Sequence, residues 1–96
     1  MFDLSNIITR YFEVKINGQM IEIEPPTVKM MKKLTAIKKD EDMEGYIEML
    51  ARVMSKNRQR KEISVEIVEQ MTLDQITEFS QAYFSWLKGI QNDPNS

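Results

Sequence analysis

The chain contains no cysteine and no histidine among its 96 residues. A disulfide framework, a Cys/His zinc site, a cysteine nucleophile and a histidine-based triad are all excluded by that. Glycine and proline are scarce, with three of each. Gly18, Gly45 and Gly89 stand apart from one another, so no glycine-rich loop exists to cradle a phosphate. There is no G-x-S-x-G elbow, and no acid pair sits in an apolar setting that would separate its pKa values. No apolar run approaches the roughly 20 residues of a membrane span, and the N-terminus lacks the apolar core of a signal peptide. Charge nearly cancels, at 13 Lys and Arg against 15 Asp and Glu, which argues against a nucleic-acid or membrane partner. These absences point to a non-enzymatic, cytosolic binding or assembly domain without metal or cofactor.

What remains is the composition of a soluble globular chain, 42% hydrophobic and 29% charged. The pattern divides into one domain over residues 1–90 and a polar tail, 91–96. Residues 11–24 read as a β-hairpin, because Asn17-Gly18 separates two alternating runs and a type I′ turn needs positive φ at both central residues. A two-residue loop pairs Ile16 with Gln19, Val14 with Ile21 and Phe12 with Ile23. Phe12, Val14, Ile21 and Ile23 then share a face that another element must cover. The opposite face sets Glu13 against Glu22, a like-charge pair tolerable only in water.

Pro25-Pro26 ends the second strand. Thr27 is placed to cap a helix through about Lys39, with Met30, Leu34 and Ile37 on its apolar stripe and Met31 beside it. A second helix is predicted over about 42–55, apolar around more than half its circumference and so packed on two sides, with Gly45 a mild weakness near its start. Residues 56–61 read as a solvated basic connection. Ser64 caps a short helix, 65–70, with Ile63 and Val68 as a hydrophobic staple. Thr72 and Gln75 form a capping box for a last helix, 73–89, with Met71 and Ile76 as its staple. Ile76, Phe79, Tyr83, Trp86, Leu87 and Ile90 line one stripe of it, and Gly89 is read as its stop. The predicted fold is α+β and mostly α: an N-terminal hairpin packed on a bundle of three to four helices.

Several segments carry candidate chemistry. Asp40-x-Asp42-x-Glu44-Gly45 imitates the start of an EF-hand loop, but the twelfth position, which should be a bidentate Glu, is Ala51. The carboxylates are read instead as favourable charge at a helix start. Arg52, Lys56, Arg58, Arg60 and Lys61 would touch phosphates in a nucleic-acid-binding regulator, yet no aromatic is interleaved for stacking. They form one of four charge blocks of alternating sign, which suggests pairing within or between subunits. Eight methionines is a high count. Most are read as core, with Met20 and Met31 as the surface members, adaptable enough for a partner of varying shape. In Tyr83-Phe84-Ser85-Trp86 the apolar arc is wider than one contact needs. Either two packed neighbours or one neighbour plus a partner protein would account for it.

Ile8-Thr9-Arg10-Tyr11-Phe12-Glu13-Val14, Asn17-Gly18 and Ile23-Glu24-Pro25-Pro26 carry a resemblance, together with Met71-Thr72-Leu73-Asp74-Gln75-Ile76 and Ala82-Tyr83-Phe84-Ser85-Trp86-Leu87. In these segments the chain resembles the small tail assembly chaperones of long-tailed (siphovirus-type) phages and prophages of Gram-positive bacteria. The resemblance implies a protein that coats the long, helical, aggregation-prone tape measure protein before the tail tube polymerises. It also implies self-association, and in many phages a frameshift-extended product that links the complex to the tail tube protein. The expected location is the bacterial host cytoplasm, not the mature virion. Leu73, Phe84 and Leu87, with Met31 and Met20, are the expected partner-binding residues. The alternatives are a structural tail component (connector or completion protein) and the nucleic-acid regulator above.

Overall fold

Two successive residues with positive φ, Asn17 at 51° and Gly18 at 79°, set the N-terminal half of the molecule. They form the tight turn that the right-handed twist of a hairpin favours. The computed structural model describes residues 10–91. Around the turn, β1 (Phe12–Ile16) pairs antiparallel with β2 (Gln19–Ile23) in the expected register: Phe12 with Ile23, Val14 with Ile21, Ile16 with Gln19. Ile16, Ile21 and Ile23 are buried, with Phe12 and Val14 half-buried against the same core. Glu13 faces Glu22 on the outer side, as the alternation requires.

The helices are α1 (Val28–Ala36), α2 (Met43–Ser55), α3 (Val65–Glu69) and α4 (Leu73–Gln91). The expected α+β architecture, a hairpin followed by helices, is the observed one. The cap residues act as the sequence suggests. Thr27 Oγ1 accepts from Met30 N–H, Ser64 Oγ from Ile67 N–H, and Thr72 and Gln75 close a reciprocal capping box at 2.9 and 3.1 Å.

Three boundaries or roles differ. Helix α1 ends at Ala36 instead of about Lys39, because Ile37 adopts an extended backbone that still reaches the core. The Lys38 carbonyl then accepts from the N–H groups of Glu41 and Asp42, making the turn that delivers Asp42 to cap α2. Gly45 is more than a weak helix residue. Its N–H donates to Asp42 Oδ1 at 3.0 Å, and a Cβ there would overlap that carboxylate. At the far end α4 runs through Gly89 to Gln91, and Gly18 is the one described glycine with positive φ. Gly89 therefore makes no left-handed stop. The polar tail 92–96 and the side chain of Ile90 lie outside the described part of the chain.

The largest departure is the basic connection, which is not a solvated loop. It docks along the free edge of β2 as an antiparallel bridge centred on Ile23 and Asn57. Arg58 N–H donates to the Glu22 carbonyl and Glu24 N–H to the Lys56 carbonyl, both at 2.9 Å. Gln59 accepts from Glu22 N–H at 2.8 Å and donates to the Glu22 carboxylate at 2.7 Å. Lys56 pairs with Glu24 at 2.9 Å, Arg58 with Glu22 at 3.7 Å, and the Arg58 guanidinium lies 5.4 Å from the centre of the Tyr11 ring. Buried Asn57 holds the loop in shape. Its amide donates to the carbonyls of Met54 and Lys61, and its Oδ1 accepts from Lys61 N–H. Ser55 and Ile63 exchange two further hydrogen bonds across the loop's base.

Removing the Asn57 side chain would orphan three buried or half-buried backbone groups. Asn57→Ala is expected to lower stability by about 2–3 kcal/mol, read as a fall in the urea midpoint. Lys56→Ala, which removes a half-exposed ion pair, should cost less than about 1 kcal/mol by the same measurement.

Candidate functional site

Helix α4 meets the hairpin through rings. Phe12 of β1 stands edge-on to Phe79 and Tyr83 at 5.7 Å and tilts against Trp86 at 5.6 Å, while Phe79 and Tyr83 stack at 5.6 Å. The opposite flank of α4 meets the other helices. Tyr46 of α2 shares a buried hydrogen bond with Ser80, and Lys39 Nζ donates to Thr77 Oγ1 at 2.8 Å. The flank of α4 that carries Thr77 and Ser80 thus has a second neighbour, while Leu73 and Phe84 on it stay exposed and half-buried, respectively.

That packing redistributes the expected partner-binding residues. Leu87 is only 6% exposed and belongs to the core, so it presents no contact surface; the hydrophobic drive that marked it for a partner is satisfied internally. Phe84 and Met31 are half-buried against the same core. Leu73, 63% exposed at the start of α4, and Met20, 51% exposed on the hairpin's outer face, are open to solvent. Val28 is also exposed, at 74%, and sequence reasoning passed over it. By helical periodicity Leu73 falls on the Ser80 and Phe84 flank of α4.

None of these residues borders an open groove of about 530 Å³ between β1 and the α3–α4 segment. Its floor is Val14, Ile16, Met54, Ile67, Met71 and Phe79. Its rim is polar, with Lys15 and Asn17 on the hairpin side and Gln70, Gln75 and Glu78 on the helical side. Ala82 supplies a small wall position farther along α4. The signal for this site lay in the stripe Gln75, Glu78, Ala82, which flanks the aromatic stripe and carries no apolar side chain larger than alanine to pack against β1.

Two of the basic residues have acidic partners. Lys56 and Arg58 pair with hairpin glutamates, while Arg52 and Arg60 are exposed on separate elements. Asp42 gives its carboxylate to a helix cap, and among the described residues no cluster of three acids is placed to hold a metal ion. No helix among them is long and apolar enough to cross a membrane. No family model, curated protein or solved structure matches the chain.

Tyr83 stands out in the ring cluster. Its hydroxyl is buried with no hydrogen-bond partner among the described residues, and burial pushes its pKa well above the ordinary phenol value. The folded state therefore holds this proton at a pH where the unfolded chain releases it, and stability falls as pH rises above about 10. Tyr83→Phe is expected to raise stability at neutral pH by about 1 kcal/mol. It should also flatten the decline of the melting temperature above about pH 10, followed by circular dichroism.

Proposed function

We propose that this chain is a tail assembly chaperone: a non-enzymatic protein of the host cytoplasm that keeps a tape measure protein soluble during tail morphogenesis. The resemblance of its hairpin and last-helix segments to such chaperones supports the reading. Among the structural features, the groove beside β1 carries it. An apolar floor with a polar rim suits the apolar stripe of an amphipathic helix. Met71, half-buried in the groove lining, adapts to side chains of differing shape, as a client that varies along its length requires. Each contact would be weak, and many copies along one client would bind by avidity. Leu73 and Met20 extend the apolar surface available outside the groove. A frameshift-extended form, where the gene encodes one, would bring in the tail tube protein.

Co-expression tests the proposal. The tape measure protein encoded beside this chain should move from the insoluble to the soluble fraction when the chain is present. Equal insolubility with and without it would refute the reading. Ala82→Arg, which fills the groove from an exposed position, should reduce that solubilisation while leaving the melting temperature within a few degrees of the parent. Purified virions should lack the chain by mass spectrometry, whereas a connector or completion protein would be present in them.

A further inference from the structure

The docked loop covers only one edge of the hairpin. Because Arg58 and Lys56 bond to the backbone of Glu22 and Glu24, the outward-facing groups of β2 are those of its even-numbered residues. Glu13 and Lys15 oppose Glu22 and Met20 in the ladder. Their N–H and C=O groups consequently point to the other edge, that of β1, where no described residue bonds to them. Both side chains are exposed, and the groove opens beside Lys15 and Asn17. An uncovered edge of this kind is a template for another strand.

We propose that the β1 edge pairs with β1 of a second copy, antiparallel about a two-fold axis at Val14. The sequence of the strand selects this partner and this register. Centred on Val14, Glu13 of each copy faces Lys15 of the other, and both residues have their free backbone groups in position to exchange hydrogen bonds. A register centred on Glu13 sets glutamate against glutamate, and one centred on Lys15 sets lysine against lysine. Of the three, only the Val14 register is electrostatically self-complementary. It also resolves the like-charge pair within the hairpin. Glu22 already has Arg58 at 3.7 Å on its far side, and the second copy's Lys15 gives Glu13 the equivalent cation. The interface is isologous and closed, which satisfies the free edge without propagating into fibres. With the axis perpendicular to the sheet, both inner faces lie on one side and the two grooves come together beneath a four-stranded sheet. The pairing stands whatever the groove receives.

A charge swap tests it by sedimentation equilibrium on the full chain. The parent should sediment as a dimer of the 11.3 kDa chain. Glu13→Lys sets lysine against Lys15, and Lys15→Glu sets glutamate against Glu13; each should weaken dimerisation by roughly tenfold or more. The double variant, Glu13→Lys with Lys15→Glu, restores opposite charges and should recover the dimer. Glu13→Lys also removes the repulsion with Glu22, so at a dilution where both proteins are monomeric it should melt no lower than the parent, which separates dissociation from misfolding. A parent that stays monomeric at about 100 μM, single reversals that leave the association unchanged, or a double variant that fails to recover it would each overturn the proposal.

Discussion

A hairpin of two five-residue strands does not hold together in water by itself, and the rest of this fold answers that insufficiency. The inner face is covered by the helices, with Ile21 and Ile23 fully buried and Phe12 set among the rings of α4. The β2 edge is covered by residues 56–59, which supply backbone partners, a side-chain amide and two cations. The covers come from separate parts of the chain. The hairpin thus depends on the helical layer being in place, and the loop after α2 depends on the hairpin to give its backbone groups partners. Asn57 lies where the two dependencies meet, on the bridge to Ile23 and at the centre of its own loop.

What was legible in the sequence was local. Asn17-Gly18, Thr27, Ser64 and the Thr72–Gln75 box each act through neighbours within a few residues, and each sits where the pattern placed it. The failures share the opposite property. The docking of the basic loop brings Gln59 to Glu22, 37 positions apart in the chain, and nothing in a run of charged residues announces a sheet edge that needs filling. The early end of α1 follows the same logic, since the local helical preference of Ile37 gives way to an extended backbone from which its side chain packs on the core.

The same non-locality hid the candidate site. Reading α4 alone exposes an apolar arc too broad for one contact, and either a second neighbour or a partner accounts for that breadth equally well. In the packed structure Phe79 and Tyr83 face the hairpin, while Ser80 bonds to Tyr46 of α2 and Thr77 to Lys39 of the turn after α1. Leu87 was therefore consumed by the core, and the open surface moved to the less apolar flank at Gln75, Glu78 and Ala82. A groove is made of what is missing between elements, and periodicity within one element does not report it.

Net charge is equally uninformative until the charges have positions. The near cancellation to −2 conceals an ordered arrangement on the hairpin's outer face. Two glutamates face each other across the ladder, Glu22 has Arg58 of the docked loop at 3.7 Å, and Glu13 lies on the β1 edge, to whose backbone no described residue bonds, two residues from Lys15. The basic block that looked suited to phosphates is in part the counter-charge of the hairpin. A ligand bidding for Lys56 or Arg58 would compete with Glu24 or Glu22, a modest competition because both pairs are partly exposed. Among the described residues, the groove beside β1 and the β1 edge centred on Val14 are two surfaces with uncharged centres, and the charged side chains stand around them.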